Sequence, residues 1–334
     1  MKAPPAEITE SDIVAALRRD WELPVVELRY LAVGFGDHHW IATEADGRSW
    51  FVTVAELGGG WRGAAPEQGW EDLRAAMDTV TVLRDAGLEF ALAPLPTRDG
   101  RALARLDELR AAILFPYLEG TVGTFGQRLQ EPDRLAVIEM LARLHGATAM
   151  VSDVAQVRDL TPASLPSLRA ALSDLARPWT GGPYGEPART FLAEHAAGIE
   201  TALARFGDLA KEAAASGPPV ITHGEPHPGN VMRAGGGLLL IDWDTVGVAL
   251  PERDLCHVAD SGSQEFASYT ELTGRAVSEA ALTAYRLRWQ LDDLGLNVAE
   301  FRGPHADDAN TAFIWGDLPR LADEVTLLAA ADHR

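Results

Sequence analysis

The chain has 334 residues, with 29 Lys+Arg against 49 Asp+Glu and a formal net charge of −20. Only two of the cations are lysines, Lys2 and Lys211, which excludes a G-x-x-x-x-G-K-[ST] phosphate loop and argues against a lysine nucleophile; the acid excess opposes nucleic acid and anionic membranes and suits a cationic or neutral small molecule. The single Cys256 excludes an internal disulfide and a cysteine zinc cluster, and no apolar run approaches the ~18 residues of a membrane span, so a cytoplasmic chain large enough for two lobes is expected.

Thr9 and Asp12 frame a helix start of capping-box type, with Ile13, Ala16 and Leu17 following at helical spacing and Pro24 ending the run. Strands are expected at Val25 to Val33, His39 to Thr43 and Trp50 to Val54, with Gly34-Phe35-Gly36 and the hairpin signal Asp46-Gly47 between them. A glycine-rich loop, 58–63, leads into a helix from about Glu67 to Asp85 with Gly87 at its end. Further strands are expected at Ala93 to Thr97, Arg101 to Leu106 and Arg110 to Leu118. The remainder reads as helical: Leu135, Ile138, Leu141 and Leu144 mark one helix, 177–185 looks like a surface loop, and helices fill the chain from about 262. Two short apolar strands, Val220 to Thr222 and Leu238 to Ile241, interrupt this pattern around a Gly235-Gly236-Gly237 turn.

Polar residues crowd beside these two strands: His223-Gly-Glu225-Pro-His227-Pro-Gly-Asn230, then Asp242-Trp-Asp244, then Pro251-Glu-Arg-Asp254. Glu225 can accept a proton. Asn230 and Asp242 are hard oxygen ligands of the kind Mg²⁺ prefers. A base beside an amide and carboxylate pair for Mg²⁺ meets the needs of phosphoryl transfer, which are orientation of a hydroxyl and neutralisation of phosphate charge.

The motif His223-Gly-Glu-Pro-His-Pro-Gly-Asn230, followed by Ile241-Asp-Trp-Asp244 and Pro251-x-x-Asp254-Leu, resembles the aminoglycoside phosphotransferase family within the protein-kinase-like superfamily. Leu141-Ala-Arg-Leu144-His145 resembles that family's L-x-x-L-H helix. The resemblance implies an α+β, bilobal protein-kinase-like fold: a small antiparallel β-sheet lobe over 1–114, a hinge over 115–120, and a mainly helical lobe over 121–334. It implies that Glu225 is the catalytic carboxylate, Asn230 and Asp242 the metal ligands, His223 a brace of the catalytic loop and Asp254 an anchor for it. Gly34, Gly36 and His39 would cover the phosphates of ATP or GTP, with Phe115 and Tyr117 of the hinge holding the base. Acceptor contacts are expected from His227, Asp244, Trp289, Asp292 and Asp293. The product would be a phosphorylated small hydroxylated molecule, in particular an antibiotic of aminoglycoside or aminocyclitol type, made by a monomer or homodimer.

Two departures stand out. Glu225 replaces the family's aspartate, one methylene longer. Thr53 occupies the strand position of the family's phosphate-binding lysine, so an arginine such as Arg62, or the pair His38/His39, is expected to help hold the phosphates. Glu71 and Asp78 are candidates for the acidic partner on the following helix. Alternatives from the same residues are a zinc cluster of His223, Glu225 and His227, a nucleoside-antibiotic or metabolite kinase, and a catalytically inactive nucleotide-binding module. His145 reads as a helix-end core residue.

Overall fold

The computed structural model describes residues 4–5, 8–34, 36–58, 65–124, 126–260 and 262–330. In chain order the elements are α1 (Glu10–Trp21), β1 (Val25–Leu31), β2 (His38–Glu44), β3 (Ser49–Glu56), α2 (Pro66–Asp85), β4 (Ala104–Arg105), β5 (Arg110–Pro116), β6 (Gly120–Val122), α3 (Glu131–Gly146), α4 (Leu165–Ser173) and α5 (Gly185–Ala213). They continue as β7 (Val220–Thr222), β8 (Val231–Ala234), β9 (Gly237–Leu240), β10 (Gly247–Ala249), α6 (Glu252–Leu255), α7 (Gln264–Thr273), α8 (Glu279–Arg302) and α9 (Ala309–Ala330). By packing, the chain divides into one unit of residues 1–158 with 219–275, and a second of 159–218 with 276–334.

The first unit opens on α1, whose first turn is closed by the expected capping box: Asp12 N–H donates to Thr9 Oγ1 at 3.2 Å and Thr9 N–H to Asp12 Oδ2 at 3.0 Å. Ile13 and Leu17 of α1 pack on Trp40, Val52, Val54 and Leu114, one face of an antiparallel sheet of order β1-β2-β3-β5-β4. Side chains alternate along a strand, so the cross-strand pairs His39↔Thr53 and Phe51↔Phe115 lie on the opposite face. Helix α2 lies so close to the end of β3 that a Cβ at Gly69 would come within 1.9 Å of the Leu57 carbonyl oxygen. The helix ends in a Schellman turn, with Gly87 at φ +93 and the Leu88 N–H on the Leu83 oxygen at 3.1 Å.

Two expected strands are corrected. Ala93 to Thr97 forms none: Pro94 and Pro96 remove alternate ladder donors, and the segment is held by isolated bonds, Leu95 N–H to Leu114 O at 2.7 Å and Thr97 N–H to Arg101 O at 2.8 Å. Arg101 to Leu106 contracts to the two residues of β4. The two candidate acids of α2 lie together. Glu71 and Asp78 both pair with Arg74 on its outer side, at 2.6 and 3.0 Å, while Leu73, Met77 and Val80 take the buried face.

Three short strands escaped the sequence pattern. β8 pairs with β9 across the glycine turn and with β6, and β10 pairs with β7. The Leu240 N–H on Phe90 O (2.8 Å) and the Leu92 N–H on Leu240 O (3.2 Å) tie the β8–β9 hairpin to the segment after α2.

The second unit is helical. Leu168 of α4, Leu192 and Ile199 of α5, Leu287 and Leu291 of α8, and Leu321 of α9 share one core. The expected loop 177–185 is irregular up to Gly185, which opens α5, and is not a surface feature throughout: Trp179 is buried in that core, and Gly181 lies close enough to Gly303 O that a Cβ would come within 2.0 Å.

Candidate active site

The site is built on two chain reversals of the first unit. After β7 the chain turns sharply at Gly224, φ +106, where a Cβ would meet Arg253 Nη2 at 2.4 Å and Thr245 Oγ1 at 2.5 Å. Only glycine accommodates both that backbone and those neighbours. Asp254, fully buried at the end of α6, accepts both N–H groups of the turn: His223 N–H on Oδ2 at 2.9 Å and Gly224 N–H on Oδ1 at 2.6 Å. Its Oδ2 is also 3.0 Å from His145 Nε2, and His145 Nδ1 is 2.8 Å from the Tyr269 hydroxyl. With Nε2–H donating to the carboxylate, the Tyr269 hydroxyl donates to Nδ1. Burial alone would push the Asp254 carboxyl up; the hydrogen bond from His145, reinforced by Arg253, outweighs it and holds the group below its ordinary value.

His223 stands in the reversal with both ring nitrogens used. Nε2 donates to Ile241 O at 2.9 Å and Nδ1 accepts the Glu225 N–H at 3.2 Å. Burial pushes it down to about 4, so it is neutral at physiological pH. A ring so committed cannot be a zinc ligand, and among the described residues no group of three or more His, Cys, Asp or Glu is arranged to hold a metal ion. The zinc reading is therefore dropped.

Glu225, half-buried, begins the loop that Pro226 and Pro228 stiffen. A short 3₁₀ turn, Pro228–Asn230, follows, its Gly229 N–H donating to His227 Nδ1 at 3.1 Å. Asn230 Nδ2 donates to the Glu225 carbonyl at 3.0 Å, which leaves the amide oxygen as the group available to a cation. The Ile241 N–H on Asn230 O, 3.0 Å, continues the β8–β9 ladder and brings the Asp242 segment beside Asn230. Asp242 itself is exposed and left-handed, φ +65. An aspartate tolerates that region better than most residues, at a cost of about 1–3 kcal/mol, and both its neighbours are pinned. Ile241 is bonded to Asn230 and His223; Trp243 is buried, its Nε1 on Leu240 O at 2.8 Å and its ring 4.5 Å from that of His223. The Ile-Asp-Trp pattern thus clamps a strained carboxylate between two anchors. An amide oxygen and an exposed carboxylate fit a hard divalent cation that completes its shell with water and phosphate oxygens.

Two residues of the site were not singled out from the sequence. Arg253 is buried, with Nη1 donating to Thr222 Oγ1 at 2.9 Å and Nη2 to Thr245 O at 2.9 Å. With Asp254 it holds the Gly224 turn from both sides. Tyr269 completes the His145–Asp254 chain. A charged residue in Pro-Glu-Arg-Asp shows no local sign of burial, and Tyr269 is 124 positions from its partner; only the charge next to Asp254 was a signal. His145 is a core residue as read, and it is also part of this network.

On the β-sheet, Gly34 and Gly36 take φ +69 and +95 in the β1–β2 loop. His39 Nδ1 is 3.2 Å from Thr53 Oγ1. Phe115 is half-buried at the end of β5 and Tyr117 exposed just beyond it. Arg62 lies outside the described residues. Trp289, Asp292 and Asp293 belong to the second unit, where Trp289 Nε1 donates to Asp293 Oδ2 at 3.1 Å and Asp292 Oδ1 accepts the Ser164 N–H at 2.8 Å. Burial, and then the charge of Asp292, push the Asp293 carboxyl up to about 7.

A carboxylate on a glycine turn, an amide and a strained acid on the neighbouring hairpin, and an antiparallel sheet ahead of them define a kinase-like phosphotransferase core. Residues 27–290 match the phosphotransferase enzyme family, and the chain belongs to it. It is 30% identical to Protein StrN of Streptomyces griseus over 268 residues, 75% of this chain and 76% of that one. Among solved structures it resembles spectinomycin phosphotransferase in complex with ADP and spectinomycin, with TM-score 0.72 and 17% identity over 97% of this chain and 98% of the other. It also resembles amicoumacin kinase in complex with AMP-PNP and Ca²⁺, with TM-score 0.61 and 13% identity over 98% and 97%. The fold is protein-kinase-like.

Proposed function

We infer that the chain transfers the γ-phosphoryl group of ATP or GTP to a hydroxyl of a small molecule, with antibiotics of aminocyclitol or aminoglycoside type as the acceptor class. The observation that carries this reading is that Glu225, Asn230 and Asp242 stand on neighbouring segments, joined by Asn230 Nδ2 on Glu225 O and by the Ile241 N–H on Asn230 O. In this reading residues 1–114 form the nucleotide lobe, 115–120 the hinge and 121–334 the catalytic and acceptor lobe. Spectinomycin and amicoumacin, bound or named in the similar structures, make antibiotic hydroxyls the first acceptors to test.

Glu225 takes the proton of the acceptor hydroxyl as its oxygen approaches phosphorus. His223, neutral and bonded on both sides, keeps the Glu225 backbone in place. Asn230 and Asp242 would hold Mg²⁺, whose role when bound is to offset the charge of the β- and γ-phosphates. The longer reach of glutamate is accommodated by a loop that two prolines and Asn230 hold at its base. His227, Asp244, Trp289, Asp292 and Asp293 are the acceptor contacts of the proposal.

The test is incubation with Mg·ATP or Mg·GTP and an antibiotic panel, with mass detection of one added phosphoryl group. Glu225→Gln is expected to lower kcat by about 10²–10⁴ while leaving nucleotide affinity in place. Nucleotide binding with no transfer to any acceptor, unchanged by Glu225→Gln, would instead favour an inactive nucleotide-binding module.

A further inference from the structure

Phosphate oxygens require donors beside them, and neither lysine is available on the described sheet: Lys211 pairs with Asp208 at 3.0 Å on α5, and Lys2 lies outside the described residues. The structure separates the two adjacent histidines of β2. His38 faces the α1 side, its Nδ1 3.2 Å from the Tyr30 hydroxyl and its ring beside Trp40. His39 faces the other side. Its ring stacks on Phe51 with centroids 5.1 Å apart, its Nδ1 is 3.2 Å from Thr53 Oγ1, and its Nε2 is turned to the β1–β2 loop, where a Cβ at Gly34 would come within 3.2 Å.

We propose that His39 and Thr53 form a phosphate-binding dyad for the donor nucleotide, in which His39 Nε2–H donates to a phosphate oxygen and the Thr53 hydroxyl holds Nδ1. The inference rests on the phosphotransferase reading above. A hydroxyl suits this position because it both donates and accepts. It donates to Nδ1 of the neutral ring and accepts from Nδ1–H of the imidazolium, so the ring keeps its orientation in either state. Positive φ and the missing side chain at Gly34 let its backbone lie close to the ring.

In the free protein burial pushes His39 down to about 4; Asp37 pulls it up and His38 pulls it further down. Phe51 and Thr53, its neighbours on β3, carry no charge. A phosphate against Nε2 favours the imidazolium, so nucleotide binding takes up a proton from solvent and weakens as pH rises through the bound-state value.

The experiment is titration calorimetry of the full chain with Mg·ADP and with adenosine at about pH 6, in two buffers of different ionisation enthalpy. The wild type is expected to take up protons with Mg·ADP and not with adenosine. His39→Ala is expected to lose roughly tenfold or more in Mg·ADP affinity, to show no uptake, and to bind adenosine as before. His39→Asn keeps a neutral donor and retains part of the affinity without uptake; Thr53→Ser behaves as wild type and Thr53→Val falls between. Unchanged Mg·ADP affinity in His39→Ala, an equal loss for adenosine, or uptake that survives the substitution overturns the dyad alone. Failure of the wild type to bind Mg·ADP, adenosine, Mg·GDP and guanosine alike overturns the phosphotransferase reading and the dyad with it.

Discussion

Asp254 uses its two oxygens on two consecutive backbone N–H groups and shares one of them with His145, all out of water. Replacing it by Asn keeps the shape but turns an acceptor into a donor facing N–H. We expect Asp254→Asn to cost about 2–3 kcal/mol in urea unfolding and to lower kcat, because the turn carrying Glu225 loses its support. Because its pKa is lowered in the fold, its contribution is fully present above the ordinary carboxylate value and is lost as pH falls through the lower, folded one. Arg253→Gln should cost a similar amount and, unlike a surface arginine, reduce activity, since the Thr245 carbonyl and the Gly224 turn lose a common partner. An Arg253→Gln variant with wild-type turnover and midpoint would show that Asp254 suffices.

Elements whose ends carry their own chemistry were legible. The Thr9–Asp12 box and the Gly87 terminus are local patterns, and α1 begins and α2 ends where these residues direct. Thr9→Ala is expected to lower stability by about 1 kcal/mol, measured as a shift in denaturant midpoint at constant slope. The approach of α2 to Leu57 was not legible, because it is set by what packs on Gly69 from another element. Gly69→Ala, a favourable change in an isolated helix, should here destabilise by about 2–3 kcal/mol; a stabilised variant would refute the contact. The short β7 and β9 showed as apolar runs, whereas β6, β8 and β10 carry neither such a run nor enough alternation to be seen, and exist because neighbouring strands supply their hydrogen bonds.

Across the whole molecule, several histidines are held neutral by burial: His39, His223 and His227 at about 4 and His257 at about 3. The unfolded chain binds protons at these positions from about pH 6.5 downward, so between pH 6.5 and 4 the unfolded state gains protons that the fold does not, and stability falls with pH. For His223 alone the loss between pH 7 and pH 5 is about 2 kcal/mol. Tm should therefore drop steeply over this range, and His223→Asn should have a shallower slope. An equally steep slope in that variant would mean that burial leaves the His223 ring titrating as it does in the unfolded chain. The net charge of −20 adds self-repulsion, and Tm near neutral pH should rise as salt screens it.

The sequence by itself determined the phosphotransferase family and marked the residues of the proposed site: Glu225, Asn230, Asp242 and Asp254 stand in short stretches whose spacing is covalent. It also fixed the lysine count at two, Lys2 and Lys211, with a threonine at position 53. Tertiary structure decided which residues hold those groups in place. Arg253, His145 and Tyr269 reach the turn from distant positions, and His38 and His39, indistinguishable in the chain, face opposite sides of the sheet once β2 is paired. Burial decides their charge, and burial is a property of the packed fold that no stretch of sequence carries on its own.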